Sequence, residues 1–120
     1  MSTPVFEGSC VALVTPFRNG HVDWDKFREL IDWHIEKGTD ALLIAGTTGE
    51  TSTLTDSEHL ELLRTAGMYI DHRVPFIAGT GSNSTEEAIS LTRHAKRAGA
   101  DAVLTYFAKR VAQWLKENNQ

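Results

Sequence analysis

The sequence has few of the features that would identify a secreted, membrane or disulfide-stabilised protein. It contains one cysteine, Cys10, so an internal disulfide is excluded. The apolar residues 11–14 that follow predict a buried strand position for this thiol. No apolar run approaches the roughly 20 residues of a membrane-spanning helix, and residues 1–10 lack the basic and then apolar segments of a signal peptide. We therefore expect a cytoplasmic protein.

Basic charge is also sparse. The chain has 12 Lys and Arg against 16 Asp and Glu, a formal net charge of −4, and no basic cluster on one predicted face. This argues against nucleic acid or an anionic membrane as partner. The five histidines show no metal-ligand spacing with cysteine or carboxylates, so we expect no metal. A small molecule or another protein, including a second copy, fits better.

The chain does contain four short and almost continuous apolar runs, at residues 10–14, 41–45, 74–78 and 102–106. Strands buried on both faces of a parallel sheet have this pattern. Segments with helical periodicity separate and follow them, at about 23–37, 55–70, 84–98 and 108–117. The order predicts one domain, residues 1–120, of four strand–helix units with parallel strands.

Local signals support these units. Residues 55–58 and 84–87 both have the pattern of a capping box, and Gly38 and Gly99 stand where helices end. Residues 37–43 are echoed by residues 98–104, with the two glycines 61 positions apart. The echo indicates that the same structural device recurs two units later.

Two glycine-containing loops follow predicted strands. Gly46, Thr47, Thr48 and Gly49 follow the second, and their backbone and hydroxyl donors suit a carboxylate or phosphate oxygen. The alternative interpretation is a tight turn capped by its own hydroxyls. Residues 79–84 lack the third glycine of a dinucleotide loop and the lysine of a P-loop, so we predict a capped turn there.

In order along residues 6–104, the motifs resemble the dihydrodipicolinate synthase and N-acetylneuraminate lyase family. They read VALVTPF at 11–17, GTTGE at 46–50, and VPFIAGTG at 74–81 followed by EAI at 87–89. The resemblance implies a (β/α)8 barrel that joins pyruvate to a lysine as a Schiff base and reacts it with an aldehyde, with no cofactor. It implies that Thr48 binds the keto-acid carboxylate beside Gly46 and Gly49, and that Thr47 belongs to a proton relay.

The resemblance weakens after residue 104. Tyr106 is an additional candidate site residue, but the chain then passes almost directly into a predicted helix, so residues 105–120 are interpreted as a divergent or grafted segment. The five lysines lie on predicted helices or at their ends, and none lies within an apolar strand. We therefore expect a truncated, chimeric or engineered scaffold of a pyruvate-dependent synthase that is itself inactive. The alternatives are an active lyase and a weak anion-binding α/β module.

Half of a (β/α)8 barrel is the expected fold, and an open flavodoxin-like three-layer sheet is the alternative. Four units would leave an apolar inner face, predicted from Leu13, Leu43, Ile77 and Val103, and two unpaired sheet edges. We expect a homodimer to cover that face. A monomer with reordered strands is the competing expectation.

Overall fold

The computed structural model describes residues 4–46, 54–82, 84–104, 113 and 116–118. Its elements, in chain order, are β1 (Cys10–Ala12), β2 (Phe17–Arg18), β3 (His21–Val22), α1 (Trp24–Glu36), β4 (Ala41–Ile44), α2 (Asp56–Ile70), β5 (Phe76–Gly79), α3 (Thr85–Ala98) and β6 (Ala102–Leu104). The four predicted strands are present and somewhat shorter than their apolar runs. Most of the predicted fourth helix lies outside the described residues. No helix in the described part of the chain is long and apolar enough to cross a membrane.

The main sheet is parallel, and its strand order β1-β4-β5-β6 follows the chain. Right-handed crossovers between successive neighbours bring each connecting helix to the same face. The core confirms this, because side chains from α1, α2 and α3 pack in one cluster against β4 and β5. An open flavodoxin-like sheet needs a reversal of strand order and helices on both faces. That alternative is therefore wrong, and the arrangement is that of a barrel segment.

Two of the four residues predicted to form the apolar inner face lie on that face. Leu43 and Ile77 are register partners on the face away from the helices. Leu13 is buried in the helix-side core, and Val103 pairs with the core residue Ala78, so both lie on the other face. Strand residues alternate between faces, and a continuous apolar run does not reveal which alternate set faces inward.

The thiol of Cys10 is exposed, so its predicted burial is wrong. The reason is that the register places Cys10 on the same face as Leu43, away from the helices, and that β1 is an edge of the described sheet with β4 on one side only. Partial desolvation nevertheless raises the pKa of the thiol.

Helix caps follow the sequence pattern with one exception. In α2 the Thr55 hydroxyl accepts the Glu58 N–H at 3.2 Å, and the Glu58 carboxylate accepts the Thr55 N–H at 3.0 Å, which lowers the pKa of Glu58. The full box predicted for α3 is wrong. The Ser84 hydroxyl accepts the Glu87 N–H at 3.4 Å. The Ser82 hydroxyl, however, accepts the Ser84 N–H and donates to the Glu87 carboxylate, so these two groups bond to Ser82 rather than to each other.

The internal echo has a physical basis at the N-terminal end of the sheet. Gly38 and Gly99 end α1 and α3 with φ of +88° and +95°. Two residues later, Asp40 accepts the Ser9 N–H at 2.8 Å, and Asp101 accepts the Phe76 N–H at 2.8 Å. Each carboxylate thus ties the entry of one strand to the start of its neighbour. This end of the sheet serves stability and leaves the opposite end for ligands.

A hairpin of β2 and β3 was not predicted. It pairs Phe17 with Val22 across Asn19 and Gly20, which have φ of 54° and 80°. These are the left-handed conformations of a type I′ turn, for which Asn-Gly is the preferred sequence. The dipeptide was therefore the signal that sequence reasoning missed.

Candidate functional site

The candidate site lies at the C-terminal ends of β4 and β5. Of the predicted site residues, Gly46 lies within the described part of the chain, directly after Ala45, whose φ of 62° turns the backbone out of the strand. The other four predicted site residues, Thr47, Thr48, Gly49 and Tyr106, lie outside the described residues. The structure therefore describes the point at which the loop begins and the residues that support it.

Gly79 allows the ends of β4 and β5 to approach closely. A Cβ at this position would collide with the Ala45 carbonyl oxygen and lie 2.9 Å from the Gly46 nitrogen. Both are backbone atoms, which cannot move aside without displacing β4. A glycine is required here by the contact between the two strand ends rather than by an unusual φ.

His59 connects α2 to the same point. Its Nε2–H donates to the Gly79 carbonyl oxygen at 2.9 Å, and the residue is only 5% exposed. A carbonyl can only accept, so Nε2 carries the hydrogen. Burial lowers the pKa of the ring below its ordinary value, opposed by the Gly79 hydrogen bond and by the charges of Glu87 and Asp56. The neutral form of the ring is therefore favoured.

Sequence reasoning assigned no role to His59. The signal was its place on the apolar stripe of α2, at the i, i+3, i+4 and i+7 positions with Leu62, Leu63 and Ala66, all of which are fully buried. A histidine on such a stripe must find a polar partner inside the core. Its partner is the strand end at the candidate site.

A second polar contact connects α3 to β5. Thr80 is fully buried, and its N–H donates to the Leu104 carbonyl at 2.9 Å. The Thr92 hydroxyl lies 3.1 Å from the Thr80 hydroxyl and 2.7 Å from the Ala88 carbonyl. The end of β5 is therefore held by α2 through Gly79 and by α3 through Thr80. We call this set of contacts among His59, Gly79, Thr80 and Thr92 the strand-end platform.

The described residues contain no group of three His, Cys, Asp or Glu side chains arranged to hold a metal ion. A shallow depression of about 350 Å³, lined by residues such as His72 and Asp101, lies beside the start of β5, at the opposite end from the strand-end platform. The donors of the platform are already used within the fold: the His59 Nε2–H by the Gly79 carbonyl, the Thr80 N–H by the Leu104 carbonyl and the Thr92 hydroxyl by the Ala88 carbonyl.

Comparison with known proteins decides the family. The profile of the dihydrodipicolinate synthetase family matches residues 5–113. The chain belongs to this family. Over 100 residues it is 56% identical to the 4-hydroxy-tetrahydrodipicolinate synthase of Persephonella marina, a match that covers 83% of the chain and 34% of the relative. The predicted family is thus confirmed.

Solved structures of the family agree with the fold. The dihydrodipicolinate synthase of Aquifex aeolicus superposes with a TM-score of 0.81 at 50% identity, covering 83% of this chain and 34% of that one. The synthase of Acinetobacter baumannii, solved in complex with pyruvate, gives 0.78 at 50% identity, covering 82% and 34%. The chain spans about a third of the length of these synthases. The expectation that it forms part of a barrel is confirmed.

The close approach at Gly79 generates a stability prediction. Gly79→Ala should lower the free energy of unfolding by about 1–3 kcal/mol, because the added methyl overpacks backbone against backbone. Gly46→Ala is the matched control, since its Cβ would meet only the Leu43 side chain, at 3.1 Å, which can rotate. Urea denaturation followed by circular dichroism measures both. Equal losses for the two variants would contradict the close approach.

Proposed function

We propose that this chain forms the keto-acid-binding end of a dihydrodipicolinate synthase-type barrel without supplying the Schiff-base amine. The strand-end platform is the observation that carries the proposal. It supports Gly46 at the start of the loop, at the sheet end where α/β proteins bind ligands. The synthase of Acinetobacter baumannii, solved in complex with pyruvate, shares 50% identity over 82% of the chain.

The positions of the lysines support the second half of the proposal. A Schiff-base lysine needs a desolvated amine that faces the substrate. The described lysines, Lys26, Lys37, Lys96 and Lys116, are exposed and lie on helices or at their ends. Lys109 lies outside the described residues. We propose that these 120 residues by themselves act as a scaffold of truncated, chimeric or engineered origin, placed in the cytoplasm, with the active lyase as the alternative.

Trapping with borohydride tests this proposal. We expect no reduced pyruvate adduct in the intact mass of the chain, because pyruvate has no suitably placed amine to react with. The synthase of Persephonella marina, treated in parallel, serves as the positive control. A stoichiometric adduct that maps to one lysine would favour the active lyase.

For the loop itself we propose the roles that the family resemblance implies. Thr48 binds the carboxylate of the keto acid, Gly46 and Gly49 let the backbone approach it, and Thr47 keeps its place in the hydroxyl relay. The left-handed turn at Ala45 supports this, because it turns the chain away from β4 directly before the loop. Tyr106, which follows β6, remains a candidate. If the loop accepts any small anion, the chain is the weak anion-binding module.

Anion titration tests the loop assignment. Pyruvate should bind weakly, with Kd on the order of millimolar because few contacts are available, and Thr48→Val should abolish the binding. Thr47→Val is the matched control and should retain it, since its hydroxyl is assigned to the relay. Amide shifts in NMR measure the binding. Identical shifts in wild type and Thr48→Val would show that the loop is only a turn, and equal binding of phosphate would favour the general anion module.

We further propose that a second copy of the chain covers the uncovered sheet face. This face presents Leu43, Ile77 and Leu104, of which Leu104 is 58% exposed. In the described part of the chain, β1 and β6 each have a neighbouring strand on one side only, and such edges invite strand pairing. A two-fold dimer would join β6 of each protomer to β1 of its partner, closing eight strands around the apolar face.

Sedimentation tests the dimer. At concentrations of about 10 to 100 μM, typical for weak self-association, we expect a mass near twice 13.3 kDa. Leu104→Asp should shift the equilibrium to monomer, because it places a charge in the apolar interface. Met68→Asp is the matched control, since Met68 is 59% exposed but lies on α2. A wild-type monomer with cooperative unfolding would contradict the dimer.

A further inference from the structure

The hydrogen bond between His59 and Gly79 lies where a helix, two strands and the start of the proposed carboxylate loop meet. The imidazole of His59 reaches the sheet from the first turns of α2 and holds the Gly79 carbonyl at 2.9 Å. On its other side, Gly79 is in backbone contact with Ala45 and Gly46. No side chain separates the three backbone segments, so a displacement of Gly79 passes directly to Gly46.

We propose that His59 is a positioning residue, which sets the place of Gly46 through its hydrogen bond to the Gly79 carbonyl. The inference deepens the proposed function and rests on it only in its final step, the effect on keto-acid binding. The coupling of His59 to Gly46 is a property of the described residues alone.

Contact geometry supports a positioning role. The interior around His59 is closely packed, because its stripe neighbours Leu62, Leu63 and Ala66 are fully buried. The ring therefore cannot change place without moving either α2 or β5. The bond of Thr80 to Leu104 holds the next residue of β5 to β6, so Gly79 is the point at which α2 acts on the strand end.

Burial and two charged groups decide how the ring responds to pH. Protonation would place a charge in the core, and desolvation opposes this. The negative charges of Asp56 at the start of α2 and Glu87 in the first turn of α3 favour protonation and partly offset the effect of desolvation. Desolvation outweighs them, while the protonated ring keeps its Nε2–H and can still donate to the Gly79 carbonyl.

The sign of the pH effect follows. The folded pKa of His59 is lowered from 6.5, so the unfolded chain binds the proton more tightly than the folded chain does. The contribution of this group to the free energy of unfolding is therefore largest at pH values above its pKa in the unfolded chain. It falls as the pH drops below that pKa. The loss levels off once pH lies below the folded pKa.

NMR titration of three variants tests the coupling. His59→Gln keeps an N–H that can reach the Gly79 carbonyl but does not titrate, and His59→Leu removes the donor. Neither variant has an aromatic ring, so a difference between them at Gly46 reports the hydrogen bond rather than a ring current. Thr65→Val, which changes another buried polar residue of α2, is the matched control.

We expect the Ala45, Gly46 and Gly79 amides of wild type to titrate with the midpoint of the His59 ring. In His59→Gln they should be insensitive to pH and close to their wild-type positions at neutral pH. In His59→Leu they should be displaced at every pH, and Thr65→Val should behave as wild type. If His59→Leu does not fold, wild type and His59→Gln decide the question.

The proposal is overturned if the Gly46 amide is the same in His59→Gln and His59→Leu, or if it still titrates in His59→Gln. Pyruvate affinity is read separately: it should be about threefold or more weaker in His59→Leu than in wild type, with His59→Gln close to wild type. Absence of pyruvate binding in every variant would contradict the proposed function, while the amide titration would still decide the role of His59.

Discussion

Each strand of the main sheet pairs with the strand of the preceding unit, and this places every connecting helix on one face of the sheet. The largest fully buried apolar side chains, from Phe27 in α1 to Phe76 in β5, pack in that single helix-facing layer. The described residues cover the other face only in part, since Leu104 there is 58% exposed, and they give β1 and β6 one neighbouring strand each. The division between the two ends of the sheet follows from the same order, because all strands begin at one end and release their loops at the other.

At the end of the sheet where the loops leave the strands, backbone atoms of β5 lie directly against the end of β4. Gly79 brings β5 against β4, and His59 and Thr92 bring α2 and α3 to the end of the strand. A platform of this kind can hold the start of a loop in place without taking part in chemistry itself. Membership of the dihydrodipicolinate synthetase family and the likeness to a pyruvate-bound synthase give this platform its proposed purpose.

Much of the fold could be predicted because it depends on local signals. The four strands, the caps at Asp23 and Thr55 and the helix ends at Gly38 and Gly99 are each encoded within a few residues. The errors concern properties that depend on distant partners. Exposure of Cys10 depends on β1 being an edge, and the faces of Leu13 and Val103 depend on strand register. The candidate loop could be located from glycines and threonines, but the role of His59 needs the three-dimensional contact with Gly79, 20 residues away.

The paired carboxylates at the start of the strands also bear on how the chain folds. Asp40 reaches back 31 residues to Ser9, and Asp101 reaches back 25 residues to Phe76. Each strand pairing in the main sheet likewise joins neighbouring units, so no step requires closure of a loop longer than one unit. The entropic cost of loop closure grows with loop length, so no pairing costs more than the closure of one unit. The barrel segment can therefore grow strand by strand in the order of its synthesis, with each new strand aligned by a contact to the strand before it.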